Sequence, residues 1–183
     1  TQSDRAAKRR ELSVPADAVI LLSVGELNEN KNHETVIRAI ADIDHLCYII
    51  AGEGILQKKL QGVIDQVGIS DRVKLLGFRK DIGELCEAAD IFVMPSFREG
   101  LSVALMEAMA SGLPCAASKI RGNVDLIDEN GGALFDPHSV EECRKAIGKI
   151  LEAGSDSMGK YNREKIKKFG TDNVIGQMKK IYE

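Results

Sequence analysis

The chain has 183 residues, a length that fits one domain with a substantial core. Hydrophobic residues make up 44% and charged residues 29%, ordinary proportions for a globular protein. A net charge of −3, no Trp and only 4% aromatic residues argue against the basic footprint and stacking platforms of a nucleic-acid binder.

Residues 1–16 are polar and charged and read as a linker into the first strand. The chain opens with Thr1, which leaves open removal of an initiator Met or excision from a longer protein. The apolar run VILLSV predicts a buried strand over 19–24, ended by Gly25. A helix follows over 34–43, with Asn32 as its N-cap. Further strands are expected over 46–51, ended by Gly52, and over 73–76, ended by Gly77, with a helix over 56–67 between them. A short helix over 82–89, capped by Asp81, leads to a strand over 91–94 and a helix over 102–111. Strands over 114–117 and 133–135 flank a helical turn over 124–129, with Asn123 as a cap, and from 140 onwards the chain is mostly helical. This alternation predicts an α/β, Rossmann-like, doubly wound parallel sheet of about six strands with helices on both faces. Cys47, Cys86, Cys115 and Cys143 each fall in periodic apolar segments without metal-ligand spacing, so they read as reduced core cysteines. The basic residues over 160–168 read as a solvated helix face. No apolar run approaches the ~20 residues of a membrane span, and no signal peptide is visible.

Ligands of open α/β sheets bind beyond the carboxyl ends of the strands, where Gly25, Gly52, Gly77 and the segment after Met94 would lie. Lys31 would sit near that edge, where a cation suits a phosphate; taken alone it is also an ordinary surface lysine. Gly52-Glu53-Gly54 could bring backbone close to a ligand or simply form a turn capped by Glu53. Gly77-Phe78-Arg79 could hold a flat ring against backbone groups, with Arg79 otherwise an exposed cation. Glu99 and Glu107 stand eight positions apart. Glu107 is the one charge in an apolar helical segment and is expected to be buried. The pair could be a general acid and base, or two hydroxyl clamps flanking a phosphate held by the backbone of Gly100, Leu101 and Ser102.

The spacing Glu99 to Glu107 resembles the E-x7-E motif of retaining glycosyltransferases of family 4, formerly called group 1. The segment SFREGLSVALMEAMASGLPCAAS is similar to that family's core signature, VGELNENKNHETVIRA to its first-strand element, and AGEG, VKLLGF and RGNVDLI follow in the family's order. The resemblance spans about residues 17–183 and is strongest to bacterial exopolysaccharide and capsule transferases. It implies one half of a GT-B fold: the nucleotide-sugar domain over 17–183, with the N-terminal acceptor domain absent from this chain. It also implies that Lys31 binds the donor diphosphate, that Glu107 takes the ribose hydroxyls and that Glu99 contacts the donor sugar as the catalytic carboxylate. Gly100, Leu101 and Ser102 would bind phosphate through backbone, Phe78 and Arg79 would border the base, and Gly52 would lie against the donor. The implied co-substrate is a nucleoside diphosphate sugar, a UDP-sugar first, with no metal or other cofactor. The implied partners are a glycan or lipid-linked acceptor, with the full protein in the cytoplasm or peripherally at the inner membrane face. The family usually carries Arg where this chain has Glu26, which leaves Lys31 to act on the diphosphate with backbone dipoles instead of as one of two cations; Asp125 stands where a Glu is common, a mild change. Two other readings remain: a non-catalytic nucleotide-sugar-binding module, and a sugar-nucleotide epimerase of the same fold.

Overall fold

The structure, a computed structural model, describes residues 2–169. The expected sequence range runs to 183, so its last stretch lies outside the described residues. Six strands form one parallel sheet: β1 (Val19–Val24), β2 (Leu46–Ala51), β3 (Val73–Leu75), β4 (Ile91–Met94), β5 (Cys115–Ser118) and β6 (Gly132–Phe135), in the order β3-β2-β1-β4-β5-β6. β1 pairs with β2 from Val19↔Leu46 to Val24↔Ala51, and with β4 through Leu21↔Ile91 and Leu22↔Phe92. The strands are nearly continuous apolar runs because both faces are covered. Leu21, Tyr48, Ile50 and Val93 enter one core, and Ile20, Leu22, Cys47, Ile49, Phe92 and Met94 enter the other.

The first core is closed by α2 (His33–Ala39), α3 (Gln57–Val67) and α7 (Val140–Ala153), through side chains such as Val36, Ile37, Leu60, Ile64, Cys143 and Ile147. α4 (Ile82–Ala88) and α5 (Val103–Ala110) close the second, through Leu85, Leu105, Ala108 and Met109. All four cysteines are buried and unpaired. α8 (Ser155–Ile166) packs on α5, and Asn162 is fully buried, its amide donating to the carbonyls of Leu113 and Gly131 at 2.7 Å each. In the basic tract, Lys165 pairs with Asp128 at 2.6 Å and Lys167 with Glu164 at 2.6 Å. Among the described residues, no helix is long and apolar enough to cross a membrane.

The segment read as a linker is instead a helix, α1 (Gln2–Glu11). It docks on α4 through charge rather than an apolar stripe. Arg5 donates to the carbonyls of Glu87 and Ala89 at 2.6 and 2.8 Å and pairs with Asp90 at 2.5 Å. Arg9 donates to the carbonyls of Ala18 and Ala88 and to the Asp90 carboxylate, which also accepts the Ile20 N–H at 2.7 Å. Leu12 and Val14, just past the helix, are the apolar plug that enters the core. A second correction concerns the turn over 124–129. The helix there is α6 (Arg121–Val124), and Asn123 lies inside it, fully buried, donating to the Ser118 carbonyl at 3.0 Å instead of capping.

Candidate functional site

The strand order reverses between β1 and β4, since β1 leads outward to β2 and β3 while β4 leads outward to β5 and β6. At such a switch point the loops leaving two neighbouring strands part in opposite directions and open a crevice at the carboxyl edge. The loop after β1 carries Glu26 to Asn32, and the loop after β4 carries Pro95 to Ser102. They are tied together across the crevice. The Phe97 N–H donates to the Asn30 carbonyl at 2.8 Å, and the Asn30 amide donates to the Arg98 carbonyl at 2.8 Å. Asn32 adds a third tie, its amide donating to the carbonyls of Pro95 and Pro137 at 3.1 and 2.8 Å.

Asn32 holds a left-handed backbone (φ 50°, ψ 36°), which Asn tolerates better than most residues. It occupies the position before α2 but makes no side-chain cap, because its amide spans the two loops and its Oδ1 accepts from the Thr35 hydroxyl at 2.9 Å. The expected cap is thus a crosslink. Asp81 likewise makes no cap on α4. It pairs with Arg79 at 2.5 Å and with Lys8 at 2.8 Å, and these partners hold its carboxyl far below the usual carboxylate range.

Lys31 ends a single 3-10 turn, Glu29–Lys31, whose N-cap Asn28 accepts the Lys31 N–H through Oδ1 at 3.1 Å. The Lys31 side chain lies over Gly25, where a Cβ would stand 3.1 Å from its Cε, so the bare glycine makes room for the lysine stem. Its ammonium meets Glu99 Oε1 at 2.6 Å. Glu26 is exposed and turned onto its own loop, its Oε2 accepting from the Asn28 amide at 2.9 Å. The residue that departs from the family pattern therefore braces the Asn28 side chain that caps the Lys31 turn.

Gly52 allows a close backbone approach at this edge. A Cβ there would fall 1.9 Å from the Gly25 carbonyl oxygen, so only glycine lets the first two loops stack. Glu53 does not cap its own turn. Its Oε1 accepts from the Phe78 N–H at 3.3 Å and links the second loop to the third. Phe78 is 66% exposed, a large apolar ring standing at the carboxyl edge. The Arg79 side chain does not face the edge as a free cation. It pairs with Asp81 and, at 2.8 Å, with Glu11, and these hydrogen bonds raise its already high pKa.

Gly100, Leu101 and Ser102 lead directly into α5. Leu101 is 60% exposed, while Ser102 is buried and its Oγ accepts the Leu105 N–H at 3.3 Å. First-turn N–H groups have no partner within a helix, and this cap occupies only that of Leu105. Glu107 corrects an expectation: it is exposed, not buried. α5 buries Leu105, Ala108 and Met109 on one side, and Glu107 lies on the other with Val103, itself 63% exposed. The helix looks apolar throughout because its outer face also carries apolar and small residues.

Sequence reasoning missed the scaffold beneath. Gly122 of α6 abuts the β4–α5 loop so closely that a Cβ would lie 1.9 Å from the Gly100 carbonyl oxygen. The Ser118 hydroxyl donates to the Ser96 carbonyl at 2.6 Å, fixing the same loop from β5. Under β1, His33, Tyr48 and Ser23 form a buried chain: His33 Nδ1 to Tyr48 Oη at 3.1 Å, Tyr48 Oη to Ser23 Oγ at 2.7 Å, and Ser23 Oγ to the Val93 carbonyl at 2.6 Å. Burial lowers the His33 ring to about 4, opposed by the Glu26 backbone and helped by the nearby Lys31 charge. Its Nε2 makes no well-formed hydrogen bond. A cleft of about 710 Å³ lies elsewhere, at the amino edge of the sheet among Arg5, Cys86, Ser111, Gly112 and Arg163, remote from these groups.

Comparison with known proteins places this arrangement. The chain is 28% identical over 173 residues to the lipopolysaccharide core biosynthesis glycosyltransferase LpsE of Rhizobium meliloti, covering 94% of this chain and 49% of LpsE. It is 29% identical over 183 residues to the UDP-Gal:alpha-D-GlcNAc-diphosphoundecaprenol alpha-1,3-galactosyltransferase of Escherichia coli, covering 95% of this chain and 47% of that protein. Anabaena HepE in complex with UDP-glucose superposes with a TM-score of 0.90 at 25% identity, over 100% of this chain and 53% of that one. The chain thus spans about half the length of these relatives. The family model for glycosyl transferases group 1 matches residues 4–169, which takes in α1 as well as the whole sheet. The chain belongs to the group 1 glycosyltransferases, and its six-stranded parallel sheet with helices on both faces matches their structures.

Proposed function

We propose that this chain is the donor-binding half of a retaining glycosyltransferase that moves a hexosyl group from a UDP-sugar to a glycan or lipid-linked acceptor in polysaccharide biosynthesis. The observation that carries the reading is the meeting of Lys31 and Glu99 at 2.6 Å across the β1/β4 switch point, beside the start of α5. A cation and a helix start suit a diphosphate, and a carboxylate suits paired hydroxyls. The E. coli relative is named for a UDP-Gal donor and HepE was solved with UDP-glucose, which supports uridine as the base.

In this reading Lys31 and the first-turn N–H groups of α5, approached through Gly100, Leu101 and Ser102, take the two phosphates. As the glycosidic bond breaks, negative charge grows on the leaving diphosphate, and these fixed positive groups stabilise it without a metal ion. Exposed Glu107 takes the ribose hydroxyls, Glu99 the sugar hydroxyls, and backbone around Gly52, Phe78 and Arg79 borders the base. The Arg79 guanidinium, held by Asp81 and Glu11, fixes the base-side loop rather than touching the ligand.

Titration calorimetry of this chain with UDP, GDP and ADP tests the reading. Saturable heat is expected with UDP, stronger than with GDP or ADP. No heat with any of the three overturns it.

A further inference from the structure

Lys31 and Glu99, given above to two different parts of one donor, are bound to each other. The contact is not a loose surface pair. Its side chains are 22% and 13% exposed, and the 3-10 turn that carries Lys31 also holds the Glu99 segment, through Asn30 to Phe97 and Arg98. The lysine stem is seated on Gly25 and its turn is capped by Asn28, which Glu26 braces. One ammonium is thus fixed against one carboxylate in the crevice where a diphosphate and a sugar would each need one of them. An ammonium that turns to a diphosphate leaves the carboxylate beside new negative charge and without its partner, which is costly unless hydroxyl groups replace it.

Resting on the donor-binding reading above, we propose that the Lys31–Glu99 ion pair is a latch that distinguishes an intact nucleoside diphosphate sugar from the spent nucleoside diphosphate. The diphosphate takes the Lys31 ammonium and the released Glu99 carboxylate turns to the hydroxyls of the sugar. With the full donor both partners are satisfied. With the nucleoside diphosphate alone, Glu99 has no hydroxyls to accept from and competes to recover Lys31. The latch weakens the product, and so favours its release, without weakening the donor to the same degree.

Chemical-shift titrations of the wild-type chain, Glu99→Gln, Lys31→Met and the double variant with uridine, UDP and UDP-glucose test this, because they read millimolar as well as micromolar dissociation constants. Glu99→Gln is expected to bind UDP about three- to tenfold more tightly, the scale of a half-buried ion pair, while uridine affinity stays unchanged. The preference for UDP-glucose over UDP is expected to shrink in the same variant. The gain with UDP should vanish when Lys31 is already Met, since no ammonium remains to be freed. UDP affinity unchanged or weakened in Glu99→Gln overturns the latch and leaves the donor reading standing. A gain of equal size in the Lys31→Met background also overturns it, because simple repulsion between Glu99 and phosphate would then suffice. Failure of the wild type to bind uridine and UDP alike removes the donor reading and the latch with it.

Discussion

His33 is 3% exposed, and burial sets its ring at about 4 in the folded chain against the ordinary 6.5. Between those values the unfolded chain binds a proton that the folded chain refuses, so acid favours unfolding there. The contribution is full above pH 6.5 and is lost as pH falls towards 4. From pH 7 to pH 5 the loss is expected to be about 2 kcal/mol, at 1.36 kcal/mol per unit. Urea midpoints at the two pH values should show the wild type losing more stability than His33→Gln, which has no proton to take up. Equal losses in the two proteins would show that His33 does not govern this window. Glu107 makes a second residue-scale case. It is exposed on α5, so Glu107→Ala should leave the urea midpoint within ~0.5 kcal/mol, as for a surface change. UDP affinity should fall by ~1–3 kcal/mol, the scale of a charge-assisted hydrogen bond. An unchanged dissociation constant would remove Glu107 from the ribose. Motif and spacing single out Glu107 and Glu26, but the environments of these residues are not legible in the sequence. Glu107 reads as buried because Val103, Ala104, Ala110 and Ser111 flank it on an apolar or small helix face, and nothing there says which side of the helix meets the sheet. Glu26 stands where the family carries an Arg, so its carboxylate is expected to turn away from a diphosphate, but the sequence does not say to what. Its acceptor, the Asn28 amide two residues on, depends on the turn's shape.

Elements were readable where burial is complete. The inner strands stand out because a strand covered on both faces is apolar at nearly every position, a signal independent of register, whereas β3, at the sheet edge, carries Lys74 and is only half-buried. α1 was hidden for the opposite reason. Its attachment uses Arg5, Arg9 and Lys8 against Asp90, Asp81 and carbonyls of α4, so its sequence is that of a solvated linker. α6 was hidden because its role is contact between backbones. Gly122→Ala would place a Cβ 1.9 Å from the Gly100 carbonyl oxygen, and no side chain can yield there. The two elements must separate, at an expected cost of ~1–3 kcal/mol as for other overpacked sites. UDP affinity should fall with it, since the displaced loop carries Glu99 and leads into α5. Gly148 in α7 has nothing within 4 Å of its would-be Cβ, so Gly148→Ala should instead stabilise by ~0.4–1 kcal/mol. Urea midpoints that move the same way in the two variants would refute the packing argument.

At the scale of the whole molecule, the sheet order places every residue proposed for the donor on one edge. Gly25, Gly52, Gly77 and the segment after Met94 all follow parallel strands, so their loops leave the sheet together. That edge is open: Phe78, Leu101 and Val103 are 66%, 60% and 63% exposed around it. In the proposed reading donor binding needs only this edge, because cation, helix start and carboxylates are all present there. Transfer needs more. An acceptor oxygen must be held about 3 Å from the anomeric carbon, with water kept away, and such positioning supplies a large share of the barrier reduction in bimolecular steps. The relatives named as glycosyltransferases are about twice as long as this chain. The chain alone is therefore expected to bind UDP-glucose and leave it intact. Incubated with radiolabelled UDP-glucose and a lipid-linked acceptor, it should yield no labelled product, and release of free glucose should match the buffer background. Label on the acceptor would show that the donor edge carries out transfer by itself, and would overturn the division of labour proposed for the two halves. Glucose release above background, with no labelled acceptor, would show instead that the edge activates the donor and that the missing contribution is exclusion of water.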